Sequence, residues 1–224
     1  MVLDQSLWAG KLDYSEADGR QQPVRILHAP NHRGFKGSEF LIQAVAELQA
    51  EGWQIQLELI EGLPNQEVRQ RLQTADILVE QLMTGYGMSA VEGMATGLVV
   101  LSNLEDKRYT EVFRRYSYFE ECPVVSVSPE SVKDVLQALI RQPQLRRELG
   151  QASRQYAEKY HSYPFAQYLF GQIYAKLFEQ QPIELINLFH PLKSEYNQSL
   201  PKVRHPLIHH RLPPEYLCDS EKTV

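Results

Sequence analysis

Residues 84–97 read TGYGMSAVEGMATG. Gly85 and Gly87 flank Tyr86, which lets the chain turn tightly and leaves successive amides uncovered by side chains. Behind the turn, Ser89-Ala90-Val91-Glu92 has the spacing of a capping box, with the serine on one backbone amide and the glutamate reaching back to another. The pattern predicts a short helix over residues 89–96, stopped by Gly97. Glu92 then has two readings. It caps the helix, a role worth about 1 kcal/mol, or it holds something that sits in front of the helix. The bare amides favour the second, because such a turn cradles an anion or a sugar.

Strands bracket this stretch. DILVEQ (76–81) precedes it and LVVLSN (98–103) follows it, both apolar runs of strand length. Upstream, VRILHAP (24–30) is an apolar run stopped by Pro30, and IQLELIEG (55–62) alternates apolar and polar residues. Between them SEFLIQAVAELQAEG (38–52) sets Phe40, Leu41, Ala44, Val45 and Leu48 on one helical face, and PNQEVRQRLQTA (64–75) is also helical. Downstream, CPVVSVS (122–128) reads as a further strand. Ser131 with Asp134 resembles a capping box opening SVKDVLQALIRQ, Pro143 suits the start of the next helix, and two further helical patterns run to about Phe178.

Strands alternating with helices predict an α/β fold, a Rossmann-like parallel sheet flanked by helices. Residues 1–22 read as a connector, 23–180 as the Rossmann-like domain with its C-terminal helices, and 181–224 as an extended, proline-punctuated tail lying on a neighbouring surface.

Composition bounds the partners. With 43% hydrophobic and 23% charged residues, the 224-residue chain has an ordinary soluble-globular balance. Its net charge of -5 argues against a nucleic-acid partner, which calls for a basic face. Cys122 and Cys218 are too few and too far apart for a disulfide scaffold, so a cytoplasmic setting is expected, at most peripheral at the inner face of a membrane. No apolar run approaches the roughly 20 residues of a membrane span, and the N-terminus lacks the basic start and apolar core of a secretory signal.

Ligands of open parallel sheets bind beyond the carboxyl ends of the strands. That rule selects residues 29–37, 61–65, 80–89 and 102–108. The first holds APNHRGFKG, with His32, Arg33 and Lys36 among glycines that permit close backbone approach. Two cations before a helix oppose the dipole preference unless an anion fills the gap, and a phosphate would take Arg33 as a fork and Lys36 as a point charge. A solvated basic turn is the plainer alternative. The spacing is neither a Walker nor a dinucleotide fingerprint. His205, His209 and His210 have near-metal spacing but no acidic or cysteine partner close by, so no metal is expected, and His28 reads as a core histidine. The aromatic series from Tyr156 to Tyr174 reads as helix packing.

These motifs together carry a resemblance. TGYGMSAVEGMATGLVV is similar to the signature E-G-F-G-L-P-x-x-E-A-M-A-x-G-x-P-V-V of the family-four glycosyltransferases. HAPNHRGFKGSEFLIQAV resembles their phosphate-binding Arg/Lys segment, and TADILVEQ resembles the strand before the signature. The likeness covers residues 24 to about 178, one half of a two-domain GT-B enzyme. It implies a nucleotide-sugar donor, UDP- or GDP-linked, with no further cofactor, and a retaining, metal-independent transfer in polysaccharide or glycoconjugate synthesis. Glu92 matches the glutamate that grips the ribose, Arg33 and Lys36 match the diphosphate cations, and Gly85, Tyr86, Gly87 and Met88 match the turn that donates amides.

The first glutamate of the family's pair falls on Thr84, so the contact to the transferred sugar passes to Thr84 or to Glu80 at the strand end. Glu61, at another strand tip, is a further candidate for base or ribose contact, and His32 for phosphate. The resemblance also implies a missing N-terminal acceptor domain, in cis or as a partner chain in trans, without which little transfer is expected. The alternatives are a non-catalytic nucleotide-sugar-binding subunit or sensor, and an unrelated Rossmann-like interaction domain in which Glu92 only caps its helix.

Overall fold

The parallel sheet has its strands in the order β2-β1-β3-β4-β5, where β1 is Val24–His28, β2 Ile55–Leu59, β3 Ile77–Gln81, β4 Val99–Ser102 and β5 Val125–Ser126. The computed structural model describes residues 1–85, 87–106, 108, 110, 119–190 and 192–217. The expected strand over 122–128 narrows to β5, and the other four strands and the helices between them lie where the periodicity sets them. The helices are α1 Arg33–Lys36, α2 Ser38–Ala50, α3 Asn65–Thr74, α4 Met88–Thr96, α5 Val132–Arg141, α6 Pro143–Tyr160 and α7 Tyr163–Phe178. The short turn of helix α1, inside the first basic loop, has no counterpart in the sequence reading.

Strand side chains alternate between two cores. Ile26, Ile77, Val79, Val99 and Leu101 pack with Leu41 and Val45 of α2 and Leu136 and Leu139 of α5. Leu27, Leu78 and Val100 pack on the other side with Val91 and Met94 of α4 and Tyr156 of α6. Every residue of β3 is buried, as a strand covered by helices on both faces must be.

The two ends of the chain join these cores. Leu3 and Trp8 enter one cluster and Ala17 the other. Buried Arg146 donates to the carbonyls of Leu139 (2.7 Å) and Ile140 (2.8 Å), satisfying the open end of α5, and to those of Ser15 and Ala17. The C-terminal segment packs back on the domain through Val203, Leu207 and Leu212. Within it lie a 3-10 turn at Leu185–Phe189 and two short helices, α8 Glu195–Ser199 and α9 Pro214–Leu217, where an extended arm was expected. Buried Glu121 anchors this segment, accepting from Lys159 (3.1 Å), Tyr160 (2.9 Å) and the Val203 amide (2.8 Å). His205 and His210 each hydrogen-bond a backbone carbonyl, of Glu120 and Cys122 respectively. The Ser131–Asp134 capping box does not form, since the Ser131 hydroxyl instead accepts from the Ser128 amide at 2.9 Å.

Candidate functional site

The strand order changes direction at β1, whose neighbours are β2 and β3, so the crevice beyond the carboxyl ends of β1 and β3 is the topological switch point. The loops from β1, β2 and β3 all open there because the strands are parallel.

His28, the last residue of β1, fixes the floor. Its Nδ1–H donates to the Val79 carbonyl (2.6 Å) and the Ser38 hydroxyl donates to its Nε2 (2.8 Å), the tautomer that a carbonyl acceptor requires. Burial lowers its pKa, so this is the neutral core histidine expected. His32 then starts α1, its Nδ1 accepting from the Phe35 amide at 3.1 Å. Gly37 ends α1 at φ 73°, and a Cβ there would come within 3.0 Å of Leu82. That approach lets the Leu82 amide donate to the Lys36 carbonyl (3.0 Å), joining the loop after β1 to the loop after β3.

The basic loop meets carboxylates. Arg33 pairs with Glu39 at 2.9 Å and stands 4.0 Å from Glu61, beyond the end of β2. Lys36 is ion-paired with Glu80 of β3, whose side chain is fully buried. Glu80 also accepts from Ser89 (2.9 Å) and Ser102 (3.0 Å). The Ser102 hydroxyl is in reach of the Gly85 carbonyl as well, and Gly85 bridges to Asn103. Met88 opens α4 partly exposed, and Gly87 lies against Glu80. The Thr84 hydroxyl oxygen is buried without a hydrogen-bond partner among the described residues, and Tyr86 lies outside them.

The capping box over residues 89–92 is overturned. Gly87 is the N-cap of α4 and no side chain caps it. Ser89 turns its hydroxyl to Glu80, and Glu92 accepts instead from Asn65 Nδ2 at 3.3 Å. Glu92 is half-buried, and that burial raises its pKa against the weaker opposing effect of the Asn65 bond. Asn65, at the start of α3, and Ser102, at the end of β4, lie at the limits of segments that the strand-end rule selects, but the sequence reading gives neither a role. Their position at the carboxyl-end side of the sheet was the signal available. Arg33 to Glu61, Asn65 to Glu92, and Lys36 through Glu80 to Ser89 make the loops from β1, β2 and β3 one continuous set of contacts. Among the described residues of the 102–108 segment, Arg108 pairs locally with Asp106 at 2.7 Å.

Residues 34–156, more than half of the chain, match the family model described as glycosyl transferases group 1. The C-terminal domain of a glycosyl transferase group 1 family protein (LpcC) from Francisella tularensis is similar in structure. It has 16% identity and a TM-score of 0.53, over 72% of this chain and 99% of that one. Sucrose-phosphate synthase from Thermosynechococcus elongatus is similar with 17% identity and a TM-score of 0.55, over 80% of this chain and 52% of the synthase. The chain thus spans about half the length of that synthase. No curated protein gives a significant sequence match. With more than half of its length matched by the family model, the chain belongs to the glycosyl transferases group 1 family, and its fold is that of the C-terminal, Rossmann-like half of a GT-B glycosyltransferase.

Proposed function

We propose that the crevice binds the nucleoside diphosphate of a sugar nucleotide, and that the chain is the donor-binding half of a retaining, metal-independent glycosyltransferase making a polysaccharide or glycoconjugate. The observation that carries this reading is that Arg33, Lys36 and Glu92 stand on elements linked at the switch point, Arg33 to Glu61, Lys36 through Glu80 to Ser89, and Glu92 to Asn65. In this reading Glu92, relieved of capping, clasps the ribose hydroxyls. Arg33 and Lys36 meet the diphosphate with His32 beside them, Glu61 faces the base or ribose, and the glycine turn at Gly85, Gly87 and Met88 adds amides. As the glycosidic bond breaks, charge grows on the diphosphate oxygens, and donors already directed at them lower the barrier. Thr84 stands at the sugar end, and Glu80, whose buried side chain leaves no room for direct sugar contact, acts from behind Lys36.

An acceptor-binding domain has to complete the enzyme, in the same longer chain or from a partner. Helix α7 suits such a contact. None of its residues is buried, and Phe170, Tyr174, Leu177 and Phe178 are exposed along it. Among the described residues no helix is long and apolar enough to cross a membrane, and we assign the protein to the cytoplasm or its membrane face. Thr84 in place of the family's first glutamate favours one other reading, a nucleotide-sugar-binding subunit without catalysis. Calorimetry with UDP, GDP and their sugars tests the shared premise: micromolar binding supports it, and no binding of any of them ends it. Sugar transfer on adding an acceptor domain separates enzyme from sensor.

A further inference from the structure

This inference rests on the nucleotide-sugar reading and concerns how its anion site is built. The two cations are held in different ways. Arg33 lies at the surface between Glu39 and Glu61, both exposed. Lys36 is largely buried, and among the described residues Glu80 is the only hydrogen-bond partner of its ammonium, so two of its three N–H groups are unused. Glu80 is itself tied down on three sides. Its Oε1 accepts from Lys36 and from Ser89 in the first turn of α4, and its Oε2 accepts from Ser102 at the end of β4. A Cβ on Gly87 would lie 3.6 Å from the same Oε1, so the turn passes close over it. A carboxylate covered this completely does not touch a ligand, so any influence it has on one passes through Lys36.

We propose that Glu80 is a positioning residue: it fixes the Lys36 ammonium beside the glycine turn, so that the free N–H groups meet the diphosphate without first being ordered. A lysine side chain otherwise surrenders several rotatable bonds on binding, and holding it in place beforehand removes that cost. Arg33 is the opposite case, a cation that must leave carboxylate partners to reach the ligand. Simple electrostatics predicts the reverse sign for Glu80, because removing a buried negative charge beside a phosphate should tighten binding. The direction of change therefore decides.

The test is calorimetry on the 224-residue chain with inorganic pyrophosphate, UDP and GDP. Glu80→Gln should weaken pyrophosphate and nucleotide binding at least tenfold, and Glu80→Asp should recover most of the loss. The double variant Lys36→Met with Glu80→Gln, which leaves no unpaired buried charge, should bind within about threefold of Glu80→Gln, because an unfixed lysine contributes little. Binding by Glu80→Gln as tight as the unaltered chain or tighter overturns the proposal. So does a further tenfold loss in the double variant, which would show Lys36 acting without Glu80. If the unaltered chain binds none of the three, the nucleotide-sugar reading falls and this inference with it. If it binds and only the variants depart from expectation, the reading stands and the inference alone is lost.

Discussion

Asn65 at the start of α3 donates to the carboxylate of Glu92 on α4 across 3.3 Å, joining two residues that are 27 positions apart in the chain. This bond replaces the cap that the local sequence had offered Glu92, and it leaves the carboxylate half-buried at the crevice with burial raising its pKa. Stability linked to this group is therefore fully present below the unfolded carboxyl value of about 4.3 and is lost as the pH rises through the higher folded value.

Glu92→Gln should thus melt no lower than the unaltered chain at pH 7, since it removes a charge that folding disfavours. Binding of the preferred nucleoside diphosphate should weaken roughly ten- to hundredfold, the range for charge-assisted hydrogen bonds. Parallel melting curves and calorimetry check this. A fall in melting temperature with unchanged affinity would return Glu92 to a structural role.

Arg33 is paired with two exposed carboxylates, and exposed pairs exchange easily. Glu39→Gln combined with Glu61→Gln should leave stability within about 0.5 kcal/mol. It should also tighten pyrophosphate binding roughly three- to tenfold, the equivalent of the modest energies of exposed pairs. Weaker binding in the double variant would instead mean that the two carboxylates position Arg33 rather than compete for it.

Thr84 carries a buried hydroxyl oxygen with no partner among the described residues. Thr84→Val keeps its shape, so melting should not fall, because the group removed makes no hydrogen bond to any described residue. If the hydroxyl meets the transferred sugar, affinity for the nucleotide-sugar should drop about three- to tenfold while affinity for the free nucleotide holds. Titrating both ligands against the variant reads the difference.

His161 follows α6, and burial pushes its pKa down to about 4. Below the unfolded value of about 6.5 the unfolded chain takes up a proton that the folded chain refuses. Stability present above pH 6.5 should therefore decline as the pH falls towards 4, by roughly 3 kcal/mol from this residue. His161→Gln should narrow the gap between melting temperatures at pH 7 and pH 4.5. An unchanged gap would place the acid sensitivity elsewhere, His28 first, whose pKa is lowered in the same direction.

Much of the architecture is readable from short segments. The runs at 24–30, 55–62, 76–81 and 98–103 declare strands, and Leu41, Ala44, Val45 and Leu48 declare the buried face of α2. Gly97 ends α4 in the left-handed region at φ 87°, as its place in the pattern predicts. Each of these depends on periodicity or backbone freedom within about a dozen residues, and local chemistry suffices. The partners of the candidate site are not local. The capping-box spacing of Ser89 and Glu92 was present and went unused, because Glu80 lay close enough to take the serine and Asn65 to take the glutamate.

By itself, then, the sequence determined the strands and the longer helices, the basic loop and the glycine turn, along with the family likeness they carry. Only the tertiary structure decided that Lys36 is held by Glu80, 44 residues away, that Arg33 stands between Glu39 and Glu61, and that Glu92 turns to Asn65. The physical reason is that hydrogen bonds and ion pairs act over a few ångströms of space. The loops brought within that range are chosen by the strand order β2-β1-β3-β4-β5, a property of the whole sheet that no single segment contains.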